Sequence, residues 1–349
     1  MAVPDLSWLT PSVRQVQADH RRRVAALYRG DPVDRVVAIA GRLYGGSHGL
    51  HGTNEIDMLE QPRAWLADVL ADMAASVDEF ADPVTFRPPV VEIDPLGVHF
   101  IDALLGARTY IRSGQMWSDP LSIDPAELTM PDLAQSETLG KALRLAGHVV
   151  EATQGRLPIA LPVFSCPINV GINLFGDRLL TALCERPAQA KRALRIITDV
   201  ILGAIDAFAQ AVSQRVRHNS VACTRYAPAG YGQIDGCATQ LVSGRHYAEF
   251  FAPLDDELLR AWPRGGMIHL CGAHGQHYAT WREMRSVRSI QVNDRASEDL
   301  VQLVTVTRDD QILYVSPTET MPVDRVLQIA GGRRLVLQCA VEHPMAVGA

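Results

Sequence analysis

Basic charge is in short supply in this sequence: 33 lysines and arginines stand against 39 aspartates and glutamates, for a formal net charge of −6. No block of basic residues interrupts that balance, so a nucleic-acid partner has no electrostatic basis. No apolar run approaches the roughly 20 residues that a membrane helix needs. Met1-Ala2-Val3-Pro4-Asp5 has no basic stretch followed by an apolar one. No membrane partner and a cytoplasmic location are therefore expected. Internal repeats, low-complexity tracts and linkers are also missing, and residues 1–349 read as one domain. Cysteine is sparse, and its six positions, Cys166, Cys184, Cys223, Cys237, Cys271 and Cys339, are widely scattered. That distribution suits reduced thiols better than a disulfide framework. Cys166, Cys184, Cys223 and Cys237 read most simply as packing residues. A content of 47% hydrophobic and 21% charged residues argues against disorder and allows a large core.

What the sequence does have is alternation. Apolar runs short enough for buried strands, Val36–Ala40, Pro158–Phe164, Ser220–Tyr226, the stretch Gly265–Gly272, Ser289–Val292, Ile312–Val315 and Leu335–Val341, are separated by segments of helical pattern. The helices are expected at Val13–Arg29, Pro62–Phe80, Val98–Leu105, Leu139–Gln154, Val170–Cys184, Pro187–Val212, Arg245–Trp262, Tyr278–Met284, Ser297–Val304 and Pro322–Ile329. This grammar predicts parallel strands with helical crossovers, an α/β (β/α)8 TIM barrel with additional N-terminal helices, with an open doubly wound sheet as the competing fold.

In a barrel, site residues belong at the carboxyl ends of strands. His269 and Cys271 stand there, two apart, and so share one face of an extended strand. Imidazole and thiolate are ligands that zinc favours, and catalytic zinc commonly has three protein ligands with one open position. Cys339, late in the last strand on the face of Leu335, Leu337 and Val341, is the candidate third ligand. The bland alternative is a hydrogen-bonded core histidine beside a buried thiol. His274 and His277, three apart, offer a different, histidine-rich metal site together with His269 and Cys271. Arg225 and Tyr226 at a strand end suit a carboxylate or phosphate, although a surface ion pair and a packed aromatic fit equally. Asp235 is either a turn or capping residue or a member of the site. The glycine-rich loop after the first strand brings Arg42, Tyr44, His48 and His51 forward as substrate-binding candidates.

The run Arg23-Val24-Ala25-Ala26-Leu27-Tyr28-Arg29-Gly30-Asp31-Pro32-Val33-Asp34-Arg35-Val36 resembles the opening of the uroporphyrinogen decarboxylase superfamily. Pro162–Glu185, with Leu174-Phe175-Gly176, and Asp235 through Glu249-Phe250-Phe251-Ala252-Pro253 are similar to later segments of that family. The decarboxylase branch carries Arg-Gln-Ala-Gly-Arg in the first strand region, and here only Ala40-Gly41-Arg42 remains, with Ile39 in place of glutamine. The zinc-dependent, cobalamin-linked methyltransferase branch carries His-x-Cys and a distant Cys, which His269, Cys271 and Cys339 match. Cobalamin-independent methionine synthase has a similar zinc barrel, and its further glutamate ligand implies Asn293 or Asp294 near the metal. The chain reads Ala340-Val341-Glu342-His343-Pro344 where the family continues, so Glu342 or His343 stand as alternatives to Cys339. Barrel surface left uncovered there would be expected to meet a second copy as a homodimer.

These features predict Zn2+-dependent methyl or alkyl transfer to a thiol or thiol-like acceptor, Arg225, Tyr226 and Asp235 acting near the metal. The resemblance implies a methylated corrinoid protein as donor, corrinoid entering only through that partner. A metal-independent decarboxylase or lyase anchoring its substrate through Arg42 and Arg225, and a non-catalytic binding protein on a degenerate barrel, are the alternatives.

Overall fold

The four consecutive apolar residues Val37–Ala40 (β1) are buried on both faces, as befits a parallel strand covered on each side. The computed structural model describes residues 5–40, 57–113, 115–213, 217–218 and 225–339. The expected substrate loop with Arg42, Tyr44, His48 and His51 lies outside the described residues, as do Cys223, Glu342 and His343.

After β1 come Val91–Glu92 (β2), Thr109–Arg112 (β3), Gln115–Ser118 (β4), Ile159–Ala160 (β5), Arg217–His218 (β6) and Gly232–Asp235 (β7). Gly266–Cys271 (β8), Val287–Asn293 (β9), Ile312–Val315 (β10) and Leu335–Cys339 (β11) follow. Six strands form a parallel sheet in the order β1-β11-β10-β9-β8-β7, and β2-β5-β6 form a second parallel sheet. Isolated parallel bridges join Ile39 of β1 to Phe86, ahead of β2, and Asp235 of β7 to Ser165, beyond β5. Among the described residues the regular ladders do not run round as one closed sheet, and the arrangement is TIM-barrel-like.

The two faces of the sheets carry different cores. Leu335, Leu337 and Cys339 belong to the large core packed under the helices. Ile39, Phe86, Met267, Ile312, Tyr314 and Val336 face the other way, into a smaller core closed by Val24, Leu27 and Tyr28 of the helix Pro11–Arg29 (α1). Thr10 starts α1 by accepting from the Val13 amide, Pro11 has no amide to lose at its first turn, and Gly30 ends it in the left-handed region. The inner face becomes polar toward the carboxyl ends of the strands. Met267 gives way to His269 and Cys271, Tyr314 to Ser316, and Val336 to Gln338.

The differences from expectation have local causes. The helix expected over Pro62–Phe80 breaks at Ser76, and that over Val170–Cys184 breaks at Gly176, whose φ of 56° no helix accommodates. In the strand expected over Pro158–Phe164 the regular ladder covers Ile159–Ala160, since the flanking prolines lack the amide that a ladder needs, and pairing resumes at Phe164, whose carbonyl accepts from the Asp235 amide at 3.0 Å. The antiparallel hairpin of β3 and β4 carried no strong period and was not anticipated. Among the described residues, no helix is long and apolar enough to cross a membrane.

Candidate metal centre

Strand β8 brings His269 and Cys271 onto the inner face, where Cys271 Sγ lies 3.2 Å from His269 Nε2. Its neighbour β7 runs parallel with Asp235 opposite His269, and the Gly236 amide donates to the His269 carbonyl at 2.8 Å. The pairing thus continues past the end of β7, and Cys237 arrives beside Cys271. The ligand atoms of Cys237, His269 and Cys271 all lie within 4.8 Å of one another. Bonds of about 2.0–2.3 Å from one ion reach donors so spaced. Two thiols and an imidazole are also the donor chemistry that zinc favours, so these residues fit a zinc ion.

Among the described residues the cluster that could hold a metal includes Cys237 beside His269 and Cys271, and Cys339 is not part of it. Gln338 faces the interior, where Gln291 Nε2 donates to its Oε1 at 2.6 Å, whereas Cys339 packs into the helix-side core. Successive residues of a strand point to opposite faces, so Cys339 points away from His269. Cys237, expected to be a packing residue, is the cysteine whose sulfur lies with the ligand atoms of His269 and Cys271. The sequence shows only that Asp235-x-Cys237 repeats the spacing of His269-x-Cys271; that Asp235 stands opposite His269 on the adjacent strand is seen in the structure alone.

His269 is oriented from behind. Its Nδ1 donates to Gln291 Oε1, Gln291 Nε2 donates to Gln338 Oε1, and Ser316 Oγ also donates to Gln338 Oε1, at 3.1 Å. With Nδ1 carrying the proton, Nε2 presents its lone pair toward Cys271. Hydrogen bonding from Cys237 draws the Cys271 thiol below its ordinary pKa, against the opposing pull of burial. The same contact pushes Cys237 upward. One sulfur of the pair thus holds the proton that the other gives up. Asn293 is the register partner of Cys271 and donates to Asp294, but neither belongs to the cluster of ligand atoms.

Asp235 is neither a turn nor a cap. It is buried, and its Oδ1 accepts from Arg225 Nη1 at 2.8 Å and from Gln233 Nε2 at 3.2 Å. Burial alone would raise its pKa, but the charge of Arg225 and these two hydrogen bonds outweigh burial and hold it down. Asp235 is therefore an ionised carboxylate beside the imidazole. Tyr226 lies in the inner apolar core against Phe86, with its carbonyl accepting from Tyr314 OH at 2.7 Å. It is packing below the centre.

The histidine-rich alternative does not assemble. His274 Nε2 donates to the Cys271 carbonyl and His277 Nε2 to the Thr239 carbonyl, each at 2.9 Å. His274 Nδ1 faces Thr239 Oγ1, also at 2.9 Å. Burial lowers both pKa values. Together with Asn169, whose Oδ1 accepts from the Ala238 amide at 2.8 Å, these neutral imidazoles pin the Cys237 turn against the end of β8. Gly272 leaves β8 with a φ of 88°, and a Cβ there would sit 2.4 Å from Gln240 Oε1 of the same turn. The Gln240 side chain can yield, so it is the left-handed backbone that favours glycine there.

No family model matches the chain, and no curated protein matches it. Among solved structures it is similar to a methyltransferase from Methanosarcina mazei, with a TM-score of 0.61 and 17% identity over 92% of this chain and 93% of that one. At that identity the likeness shows a shared fold.

Proposed function

We propose that the chain is a zinc-dependent methyltransferase delivering a methyl or related alkyl group to a thiol acceptor, on a (β/α)8 barrel completed by the Ile39–Phe86 and Ser165–Asp235 bridges. The observation that carries this reading is the convergence of Cys237, His269 and Cys271 ligand atoms within 4.8 Å at the carboxyl end of β8. The likeness to a methyltransferase of the same fold is consistent with it.

Cys237, His269 and Cys271 would hold the ion, and with three protein ligands it would keep room for a substrate group. Bound there, zinc would supply Lewis acidity that makes a substrate thiol available as thiolate near neutral pH, where a free thiol is mostly protonated. The chain's own residues prepare that site. Gln291 fixes the ring and tautomer of His269, the Cys237 and Cys271 pair brings one sulfur already inclined to ionise, and Asp235 keeps negative charge beside the imidazole. The donor, in this proposal, is a methylated corrinoid carried by a partner protein. The decarboxylase reading is weaker, because Arg225, one of its two anion anchors, is already paired with Asp235.

The test presents purified protein, loaded with zinc or stripped by chelator, with methylcobalamin and 2-mercaptoethanesulfonate, and follows the cobalamin spectrum. Thiol-dependent demethylation should require zinc and disappear in Cys271→Ser. A folded protein that retains no zinc would overturn the proposal.

A further inference from the structure

The sulfurs of Cys237 and Cys271 are in hydrogen-bond contact with each other. Cys271 is the last residue of β8, and Cys237 opens the short turn Cys237–Leu241 beyond β7. Each is partly exposed, whereas Cys166 and Cys339 are buried, and Cys184 stands exposed on the separate helix Asp177–Glu185. Among the described residues, this is therefore the pair of cysteines that an oxidant dissolved in water reaches together.

The surroundings hold the two sulfurs together. Asn169 Oδ1 accepts from the Ala238 amide at 2.8 Å, and His277 Nε2 donates to the Thr239 carbonyl at 2.9 Å, which fixes the turn that carries Cys237. His274 Nε2 donates to the Cys271 carbonyl at 2.9 Å and fixes the end of β8. A disulfide needs its sulfurs at about 2.0 Å, and from hydrogen-bond contact that distance is closed by side-chain rotation. Gly236 before Cys237 and Gly272 after Cys271 keep the adjoining backbone clear of side-chain bulk.

We propose that Cys237 and Cys271 form a reversible disulfide, closed by a hydroperoxide and reopened by a dithiol, and that the closed pair cannot hold a metal ion. The Cys271 thiolate attacks one oxygen of hydrogen peroxide, the O–O bond breaks, and the departing hydroxide takes a proton to become water. The Cys237 sulfur, giving up its proton, then attacks the sulfenic acid on Cys271; the S–S bond forms, the S–O bond breaks and the oxygen leaves as a second water. Two thiols are oxidised and one peroxide is reduced. Metal is bound by thiolates, so closure removes both sulfurs from the cluster and leaves His269 alone. The bond itself stands on the two sulfurs, and its effect on metal rests on the zinc reading above.

For the test, the full chain is reduced, freed of reductant, treated with hydrogen peroxide, alkylated and digested without reduction. Two free thiols should disappear, the mass should fall by two hydrogens, and the linked peptides should be those of Cys237 and Cys271. The zinc-loaded chain should release its ion to a chromophoric chelator as the thiols are lost, and dithiothreitol should restore both the thiols and zinc binding. Cys339→Ala should keep the link, and Cys237→Ala should lose it and accumulate oxygen on Cys271. In the unmodified chain, thiols left intact, an oxygenated Cys271 beside a free Cys237 thiol, or a link through another cysteine in place of this one overturns the proposal. So does zinc retained by the linked chain. A chain that forms the link yet never takes up zinc upholds the pair and removes the zinc reading instead.

Discussion

His269 presents Nε2 to Cys271 because its other ring nitrogen is committed to Gln291. Replacing Gln291 by Leu keeps the bulk and removes the acceptor, so the imidazole loses both its tautomer preference and its orientation. Zinc affinity should fall by roughly 10- to 100-fold. Gln291→Glu, which retains an acceptor at the same reach, should recover most of it. Competition with a chromophoric chelator measures both, and unchanged affinity in Gln291→Leu would remove Gln291 from the centre.

Cys237 and Cys339 give a direct contrast. Cys237→Ser and Cys271→Ser should each lose bound zinc, whereas Cys339→Ser should keep it and show at most a modest loss of stability from its helix-side packing. Metal analysis of the three folded variants decides the point. Zinc lost on changing Cys339 and kept on changing Cys237 would restore the assignment read from spacing.

Asp255 should give the protein a characteristic pH dependence. The carboxyl is buried, its Oδ2 accepts from Tyr247 OH at 2.7 Å, and burial raises its pKa to about 7. The folded form therefore holds a proton that the unfolded chain, with a carboxyl near 3.8, has already lost at intermediate pH. This contribution to stability is complete below about pH 3.8 and is lost as pH rises through 7, a swing of a few kcal/mol. Urea unfolding at pH 5.5 and 8.5 should show the fall in the unmodified chain and much less of it in Asp255→Asn.

Gly232 opens β7 directly under the Trp262 ring, and a Cβ added there would lie 1.8 Å from Trp262 Cδ2. Trp262 is buried and cannot swing aside without disturbing the core. Gly232→Ala should destabilise the fold by about 2 kcal/mol or more, read as a lower urea midpoint with an unchanged slope. A neutral substitution would mean that the start of β7 can shift without cost.

The sequence by itself determined a good deal here. Short apolar runs alternating with helical patterns could only form parallel strands with crossovers, and the spacing of His269 and Cys271 put both on one strand face by geometry alone. The carboxyl-end position of the pair followed from the chain's direction. Tertiary structure decided which further groups join them. Cys339 and Gln338 are adjacent in sequence but point to opposite faces of β11, and only the register of β11 against its neighbours reveals that the glutamine faces inward. Cys237 reaches the centre because β7 lies beside β8 with Asp235 opposite His269, an adjacency that no local pattern encodes. Arg225 at a strand end and Asp235 read as a turn or cap likewise show no link until folding buries the carboxylate beside an imidazole and gives the guanidinium its partner. Periodicity states what one segment can present, and the pairing of distant segments settles what that face meets.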